Sequence, residues 1–593
     1  MESEVVRGIG LIVLLGIGLQ WVARRLGVPS IVLLLVGGLV VGPGLDLVDP
    51  ELIFGESLFP IVSLAVGLLL FNGGLELDLA ELRGGARGPV IRLVTIGTLI
   101  TWLLGALAAH LVFDEPVRVS LLMGAILVVS GPTVVGPLLR LARPTEPDAT
   151  ILRWEGILID PIGATLALFC LNTFFIDGLT LDAVWGELVV VALAGALAGL
   201  AAAALLVTAL RRMLVPDDLE VAVALMFVVA AYAVAETVRP EAGLFATTVM
   251  GLALANQRWA PIEQIRTFGE PVVVLLIGSL FIVLAAGVDA DALGDHFVGG
   301  LVLAAALALV VRPLAVVAAT AGTSLRRRDR AFLACMAPRG VVAASTAALF
   351  SLRLEDISQP SDVLTPAVFA VILVLAVLYG VGSRPAARLL GVARPPARGA
   401  LVLSGAPWAL ALARELAAAG FTTVVAARGR SDLPGDDLPY AVYTGLVFDL
   451  PRSGVLDDVG RAVVASRDDE TDLLAFGLLT DALGQRNVWV LPSRPDTAGG
   501  TETRLTASEA RAALFGSRAR RPFAPEVTHE LLMRAVEDGG RVRTVPADAV
   551  PPGALALVRL RGDDWTAAVA DAGGPGDRLI VLDPVSARKA AQQ

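Results

Sequence analysis

Two carboxylates lie inside an otherwise apolar stretch of this 593-residue chain. Glu155 and Asp160 belong to the segment Glu-Gly-Ile-Leu-Ile-Asp-Pro-Ile-Gly-Ala-Thr, which ends at Thr165. Placing an ionised carboxylate at membrane depth costs roughly 2.5–3.5 kcal/mol on insertion scales, so an acid in such a place predicts a functional site. A desolvated carboxylate holds either a proton or a dehydrated monovalent cation. We therefore expect Asp160 to bind either a metal cation or a proton, with the two ions in competition for its carboxylate.

Two apolar segments carry helix-breaking residues near their middle. The first contains Gly131 and Pro132, and the second contains Pro338 and Gly340. Interruptions at corresponding positions of two repeats are a sequence pointer to a transporter site. The backbone groups that they free survive in lipid only around a protein-lined cavity. We expect both breaks to face the cavity of Asp160; the alternative is that these residues only kink their helices.

Hydroxyl side chains near these features are candidates to complete an ion site. Ser130 and Thr133 flank the first break, and Thr165 follows Asp160 on the same predicted helix. Carbonyl oxygens can replace the hydration shell of a monovalent cation. We expect the three hydroxyl groups, together with the carbonyl groups freed by the break, to be the neutral ligands of the ion.

Two arginines lie in apolar segments of the second half of the membrane region. Arg339 belongs to the second break, and an ion pair between Glu155 and Arg339 would fix the fold and leave Asp160 free to titrate. Arg312, in Val-Val-Arg-Pro-Leu, is expected to pair with helix ends, whose carbonyl groups carry partial negative charge.

The composition places these segments in a membrane. Hydrophobic residues make up 55% of the chain, and the mean hydropathy is +0.74. Basic residues concentrate in alternate loops and acidic residues in the others, which by the positive-inside rule puts the N-terminus outside and the C-terminal region in the cytoplasm. The net charge of −10 disfavours a nucleic-acid partner. No metal cluster, nucleophile triad or intact phosphate loop is visible in the sequence, so we do not expect an enzyme.

The spacing of the two breaks predicts an internal repeat. Apolar stretches of bilayer length recur about thirteen times before residue 390. The breaks fall in the fifth and twelfth stretches, as expected if spans 1–6 and 8–13 are inverted repeats and span 7 links them. For residues 1–390 we therefore expect a polytopic α-helical membrane domain with about thirteen spans and two broken helices.

Four segments carry a resemblance to a known family. They are 29–43, 70–78 (Leu-Phe-Asn-Gly-Gly-Leu-Glu-Leu-Asp), 155–160 at the place of an E-S-x-x-N-D motif, and 338–342 with its Arg-Gly pair. On these, the membrane region resembles the monovalent cation:proton antiporter superfamily, nearest its NhaP/sodium–proton exchanger branch. The resemblance implies a secondary antiporter of a prokaryotic inner membrane that exchanges Na⁺ or K⁺ for H⁺ by alternating access. It also implies a homodimer in which a six-helix core moves against a dimerisation domain.

The sequence departs from the family pattern at four positions. The T-D-P triplet of the first broken helix is Ser-Gly-Pro here, so its acid is missing at Gly131. The Asn before the key Asp is Ile159, and the Ser after the Glu is Gly156. A single titrating carboxylate suits electroneutral exchange of one cation for one proton. Two alternatives stay open: a nucleotide-gated potassium efflux system, and a sensor that keeps the scaffold without transporting.

After a linker at 391–398 the chain has the composition of a soluble protein. Helices alternate with five predicted strands, at 399–404, 422–427, 441–444, 461–465 and 488–491. This alternation predicts a Rossmann-like α/β domain with a parallel sheet over 399–505. A small α+β subdomain is expected over 506–593. The succession resembles the TrkA-N/RCK nucleotide-binding domains that regulate potassium transport.

The phosphate loop of this second domain is incomplete. Gly405 is the one glycine kept from the G-x-G-x-x-G pattern, Pro407 removes an N–H that would face phosphate, and Trp408 is expected to block close approach. The acidic residue expected after the second strand is Arg428. The loop disfavours a nucleotide, and no cofactor is firmly implied. We expect a degenerate domain that dimerises and couples to the membrane region.

Overall fold

The computed structural model describes residues 2–176, 181–356, 361–394, 397–427, 441–443, 450, 455–456, 458–466, 469–493, 520–523, 527–567, 574 and 576–583. The chain divides into two compact units, Met1–Arg394 and Pro395–Gln593. The first unit is helical, and the second contains two β-sheets.

The described part of the first unit forms eighteen α-helices. They are α1 (Glu2–Leu26), α2 (Ser30–Leu39), α3 (Pro50–Phe54), α4 (Leu58–Leu75), α5 (Arg87–Arg92), α6 (Thr98–Phe113), α7 (Val117–Ile126), α8 (Pro132–Ala142), α9 (Asp148–Leu171), α10 (Leu181–Arg211), α11 (Glu220–Val238), α12 (Ala242–Asn256), α13 (Glu263–Ala286), α14 (Ala290–Ala306), α15 (Arg312–Thr320), α16 (Arg327–Ala334), α17 (Val341–Asp356) and α18 (Leu364–Leu389). Short π-helical segments extend or join some of them, at Val40–Gly44, Leu93–Gly97, Asn172–Ile176 and Leu307–Val311.

The helices of this unit have the length and composition of membrane spans. Counted over the described residues, nine helical segments are long and apolar enough to cross a membrane. Three shorter apolar helices, Ser30–Gly44, Val117–Ile126 and Ala242–Asn256, accompany them. Among the nine, the segment that contains α9 is the most buried. The expected class, a polytopic α-helical membrane protein, is confirmed.

Both predicted helix breaks are present. Helix α7 ends at Ile126 and α8 begins at Pro132, while α16 ends at Ala334 and α17 begins at Val341. Pro132 is the first residue of its helix, where the missing N–H costs no intrahelical hydrogen bond and the fixed φ favours a start. Each break therefore leaves a helix C-terminus and a helix N-terminus within the interior of the unit.

Glycines bring α4 against α12 without intervening side chains. A Cβ on Gly74 would lie 2.6 Å from the Thr248 carbonyl oxygen, and one on Gly251 would lie 2.2 Å from the Phe71 carbonyl oxygen. Such close approach, which only small residues allow, is a common way to pack helices in a membrane. The same end of α4 reaches the first break, because a Cβ on Gly73 would lie 3.4 Å from the Pro132 ring.

The second unit begins with a parallel sheet of five strands in the order β3-β2-β1-β4-β5. The strands are β1 (Gly399–Leu403), β2 (Thr423–Ala426), β3 (Ala441–Tyr443), β4 (Val459–Val464) and β5 (Val488–Val490), with helices α19 (Pro407–Ala418) and α20 (Asp469–Leu483). Each strand overlaps a strand expected from the sequence. The apolar runs of β1 and β2 are buried along their whole length, as is typical of strands covered on both faces.

An antiparallel sheet follows in the order β6-β9-β7-β8. Its elements are α21 (His529–Glu537), β6 (Val542–Pro546), β7 (Leu555–Arg561), β8 (Asp564–Ala567) and β9 (Arg578–Leu582). The two sheets share one hydrophobic core. Within it the rings of Trp489 on β5 and Trp565 on β8 have centroids 5.8 Å apart. The expected boundary between subdomains at 505/506 lies outside the described residues.

Candidate functional site

Asp160 lies on α9 at the centre of the membrane unit. Its side chain is 1% exposed, and its Oδ1 atom has no hydrogen-bond partner. Among the described residues, no arginine forms an ion pair with it. The carboxylate lies against the first break: a Cβ built on Gly131 would be 2.6 Å from Oδ2. The structure therefore gives the sequence-predicted carboxylate the unpaired, lipid-shielded position that a titrating group needs.

The two breaks cross beside this carboxylate. A Cβ built on Gly340 would lie 3.1 Å from the Gly131 nitrogen and 3.6 Å from the Thr133 hydroxyl oxygen. Because α8 begins at Pro132 and α17 begins at Val341, both half-helices start at the crossing. Helix N-termini carry partial positive charge and favour anions. The crossing therefore supplies positive potential next to a carboxylate for which the described residues provide no counterion.

The three predicted hydroxyl residues differ in their hydrogen bonding. Thr133 is buried, and its Oγ1 has no hydrogen-bond partner. The Thr165 hydroxyl donates to the Pro161 carbonyl oxygen at 2.8 Å, one turn back on α9, which leaves its oxygen lone pairs available as acceptors. Ser130 is buried in the first break. Thr133 is thus the hydroxyl that the structure brings to the crossing with a free oxygen.

The predicted ion pair between Glu155 and Arg339 is wrong, because Glu155 is paired with Arg312. Two guanidinium nitrogens of Arg312 donate to the two carboxylate oxygens, Nη1 to Oε1 and Nη2 to Oε2, the latter at 2.9 Å. Both side chains are buried. The planar guanidinium fork matches a carboxylate in this two-point geometry, which makes the pair strong and directional.

Arg312 also contacts the end of a half-helix. Its Nε donates to the Leu333 carbonyl oxygen at 3.0 Å, in the last turn of α16. The expectation that this arginine pairs with a helix end is confirmed, but its contact with Glu155 was not predicted. The two residues are 157 positions apart, and the only signal was that each is a lone charge in an apolar stretch.

Arg339 is buried at the other side of the crossing. Its Nη1 lies 3.4 Å from the Val128 carbonyl oxygen, just past the end of α7, and its Nε has no hydrogen-bond partner. The C-terminus of a helix carries partial negative charge. Arg339 therefore lies at the C-terminal end of α7, while the carboxyl group of Asp160 lies at the N-terminal end of α8.

The loop between β1 and α19 is where a phosphate-binding loop would lie, and one residue next to it, Trp408, differs from the prediction. Trp408 is fully buried, with its ring in edge contact with Phe523 at a centroid distance of 6.3 Å. The prediction that this indole blocks the phosphate loop is wrong, because its large apolar area is in the core instead. Gly405 lies between β1 and α19 as expected, and Arg428 lies outside the described residues. Pro407 is the first residue of α19 and has no N–H at that helix N-terminus.

The two buried arginines are expected to differ in their effect on stability. In Arg312→Ala, Glu155 remains buried without its partner, which costs about 3–5 kcal/mol. In Arg339→Ala no buried acid loses an ion pair, so the loss is expected to be smaller. The measurement is the apparent melting temperature of the detergent-purified variants at a common heating rate. An Arg339→Ala variant as unstable as Arg312→Ala would contradict the assigned pairing.

The chain is similar in sequence to known transporters. Residues 10–389 match the family model described as "Sodium/hydrogen exchanger, transmembrane". The probable Na⁺/H⁺ antiporter 2 of Methanocaldococcus jannaschii is 24% identical over 399 residues, which are 62% of this chain and 93% of that protein. The K⁺/H⁺ antiporter NhaP of Alkalimonas amylolytica is 26% identical over 343 residues, which are 56% of this chain and 58% of that protein.

The fold also has a solved counterpart. The structure of the sodium proton antiporter MjNhaP1 from Methanocaldococcus jannaschii superposes with a TM-score of 0.58 at 23% identity, covering 66% of this chain and 100% of that one. At this identity the likeness shows that the helical fold is shared. Each of these relatives is a transporter and not an enzyme, as the sequence led us to expect. Because the family model matches more than half of its length, this protein belongs to the sodium/hydrogen exchanger family.

Proposed function

We propose that this protein is a secondary active antiporter that exchanges a monovalent cation, Na⁺ or K⁺, for H⁺ by alternating access. The observation that carries the proposal is the setting of Asp160: 1% exposed, with one oxygen unpartnered, against the crossing of two broken helices. A purely structural acid at this depth would have its hydrogen bonds satisfied, because an unmet buried carboxylate oxygen is costly.

The exchange follows from competition at one carboxylate. Ionised Asp160 binds a dehydrated cation, with the free hydroxyl oxygen of Thr133 and the carbonyl groups of the first break as neutral ligands. Protonated Asp160 has no charge with which to hold the cation, so a proton arriving on one side releases it. The paired carboxylate of Glu155 is held by Arg312 and does not compete. With one exchanging carboxylate, one proton replaces one cation and the cycle is electroneutral.

Thirteen membrane passes form part of this proposal, with the N-terminus outside and the second unit in the cytoplasm. The nine long segments, the three shorter apolar helices and the interrupted segment from Arg327 to Asp356 support that number over the described residues. Inverted repeats 1–6 and 8–13 would relate the two breaks by a pseudo-two-fold axis in the membrane plane, which suits breaks that meet at one crossing. A homodimer would give the moving core a fixed partner.

The second unit is proposed to be an RCK-like regulatory domain. Its parallel strand order β3-β2-β1-β4-β5 supports a Rossmann-like class, since dinucleotide-binding folds use the order 3-2-1-4-5-6. The antiparallel sheet that shares its core supports an integrated regulatory module. A bound nucleotide is not part of the proposal, because Pro407 removes a backbone N–H where phosphate would lie.

A backbone connection within the first unit supports regulation through the linker. The loop between α8 and α9 is hydrogen-bonded to the end of the unit: the Thr145 N–H donates to the Val392 carbonyl at 2.7 Å, and the Arg394 N–H donates to the Arg143 carbonyl at 2.7 Å. The Arg394 side chain also reaches Glu146 at 3.2 Å. A pull on residue 394 by the second unit would therefore act directly on the helices that carry the first break and Asp160.

The substitution Asp160→Asn is expected to abolish exchange, because the amide neither ionises nor attracts a cation. The measurement is cation-driven dissipation of a ΔpH in proteoliposomes. Asp295→Asn is the matched control, since Asp295 is an exposed acid in the same unit and its variant should retain wild-type exchange. Exchange retained by Asp160→Asn would refute the assigned site.

The substitution Arg394→Pro is expected to change the rate of exchange several-fold without abolishing it, because it removes both the N–H donor and the side chain that hold the linker to residues 143–146. The same vesicle assay measures this rate. Arg388→Ala, at an exposed position in the last turn of α18, is the control. Loss of one exposed ion pair alone is worth about 0–1 kcal/mol, so both variants should remain folded. Identical rates for Arg394→Pro and wild type would remove the linker from the proposal.

A further inference from the structure

Residue 131 is a glycine because there is no room for a side chain, and not because of its backbone conformation. Its φ of −75° and ψ of 159° are ordinary extended values that any residue adopts. A Cβ at this position, however, would lie 2.6 Å from Oδ2, 3.3 Å from Oδ1 and 3.4 Å from Cγ of Asp160. The first distance is too short for a Cβ contact, so the carboxylate occupies the place where a side chain at residue 131 would begin.

The face of α9 that carries Asp160 also has glycines where it packs against the first break. Gly156 and Gly163 lie four residues before and three after Asp160, so all three share one face of the helix. A Cβ on Gly156 would be 3.2 Å from the Ser130 carbonyl oxygen, and one on Gly163 would be 2.6 Å from a Val129 methyl group. The extended segment of the first break thus lies along a groove on α9 with the acid at its centre.

This contact places the carboxylate next to the start of α8. Pro132 has no N–H, and the first half-helix N–H groups follow at Thr133 and beyond. A carboxylate beside a helix N-terminus is stabilised in its ionised form. The Thr133 hydroxyl oxygen, which has no partner, lies on the same first turn. A side chain at residue 131 would push the acid away from both.

We propose that Gly131 is a positioning residue for cation binding: by lacking a side chain, it admits the Asp160 carboxylate to the N-terminus of α8 and sets the distance between that carboxylate and the Thr133 hydroxyl. The inference rests on the proposed antiport and adds to it. The Asp160 carboxylate then fills the space that an acidic side chain at residue 131 would need. The missing side chain at residue 131 is, on this account, a requirement of the single-carboxylate site.

The test is the kinetics of Gly131→Ala in proteoliposomes. The KM for the transported cation is expected to rise about tenfold or more with a much smaller change in kcat, since misplacement of a binding group by less than 1 Å is costly. Cation-dependent thermal stabilisation of the purified protein should fall in parallel, because a weaker site stabilises less at the same ion concentration. An unchanged KM in a folded Gly131→Ala variant would overturn the inference.

Three further variants separate positioning from packing. Gly136→Ala adds a methyl group where nothing lies within 4 Å, and should behave as wild type. Gly16→Ala disturbs the packing of α1 on α13, where its Cβ would lie 2.9 Å from the Gly278 carbonyl carbon, and should lower the melting temperature while leaving KM near the wild-type value. Gly340→Ala presses on Gly131 from the second break, with its Cβ 3.1 Å from the Gly131 nitrogen, and should raise KM by a smaller factor.

These variants test the role of Gly131 even if Gly131→Ala does not fold. A rise in KM with Gly340→Ala but not with Gly16→Ala would support the inference, and equal rises in both would overturn it. Failure of the proposed function itself is distinguishable, because wild-type vesicles would then show no cation-driven ΔpH dissipation at all. Exchange by wild type combined with an unchanged KM in the Gly340→Ala and Gly131→Ala variants would refute only the role of Gly131.

Discussion

The contact between the Asp160 carboxylate and the backbone of the first break is the constraint on which the membrane unit depends. A charge without a counterion is tolerated in a low-dielectric interior only where fixed dipoles face it. Two half-helices beginning at Pro132 and Val341 provide such dipoles, and continuous helices would not. The break in turn frees backbone groups that must be enclosed by protein. The deep burial of α9 and the close glycine packing of α4 follow from that need.

The two buried arginines Arg312 and Arg339 have contacts that leave Asp160 without an ion pair among the described residues. Glu155 is neutralised by a two-point contact with Arg312, which is itself fixed by the carbonyl oxygen of Leu333. Arg339 lies near the Val128 carbonyl, just past the C-terminal end of α7, where the helix dipole is negative. Each of these two arginines therefore contacts a group other than Asp160. An arginine paired with Asp160 would exclude a cation from that carboxylate, so the proposed exchange requires both arginines to keep these contacts.

The loop between α8 and α9 is hydrogen-bonded to the last residues of the membrane unit. Residues 143–146 follow the first broken helix and precede α9, and they are hydrogen-bonded to the last residues before the second unit. Broken helices have few intrahelical hydrogen bonds at the break and are easier to shift than continuous ones. The proposed regulatory unit would thus need only a small displacement of the linker to alter the geometry at Gly131. The shared core of its two sheets makes it a stiff body for that purpose.

The sequence by itself determined the membrane class, the two breaks, the strands of the second unit and the presence of an acid, Asp160, inside an apolar helix. Each of these depends on local composition, namely hydropathy, helix-breaking residues, apolar runs, or an ionisable residue in an apolar segment. It also placed Arg312 at a helix end. Only the tertiary structure decided that Glu155 pairs with Arg312 rather than Arg339, that Trp408 is buried instead of covering its loop, and that Gly131 is the seat of the carboxylate. Those are contacts between elements distant in the chain, and nothing in local sequence specifies which of several buried partners a side chain will reach once the helices pack.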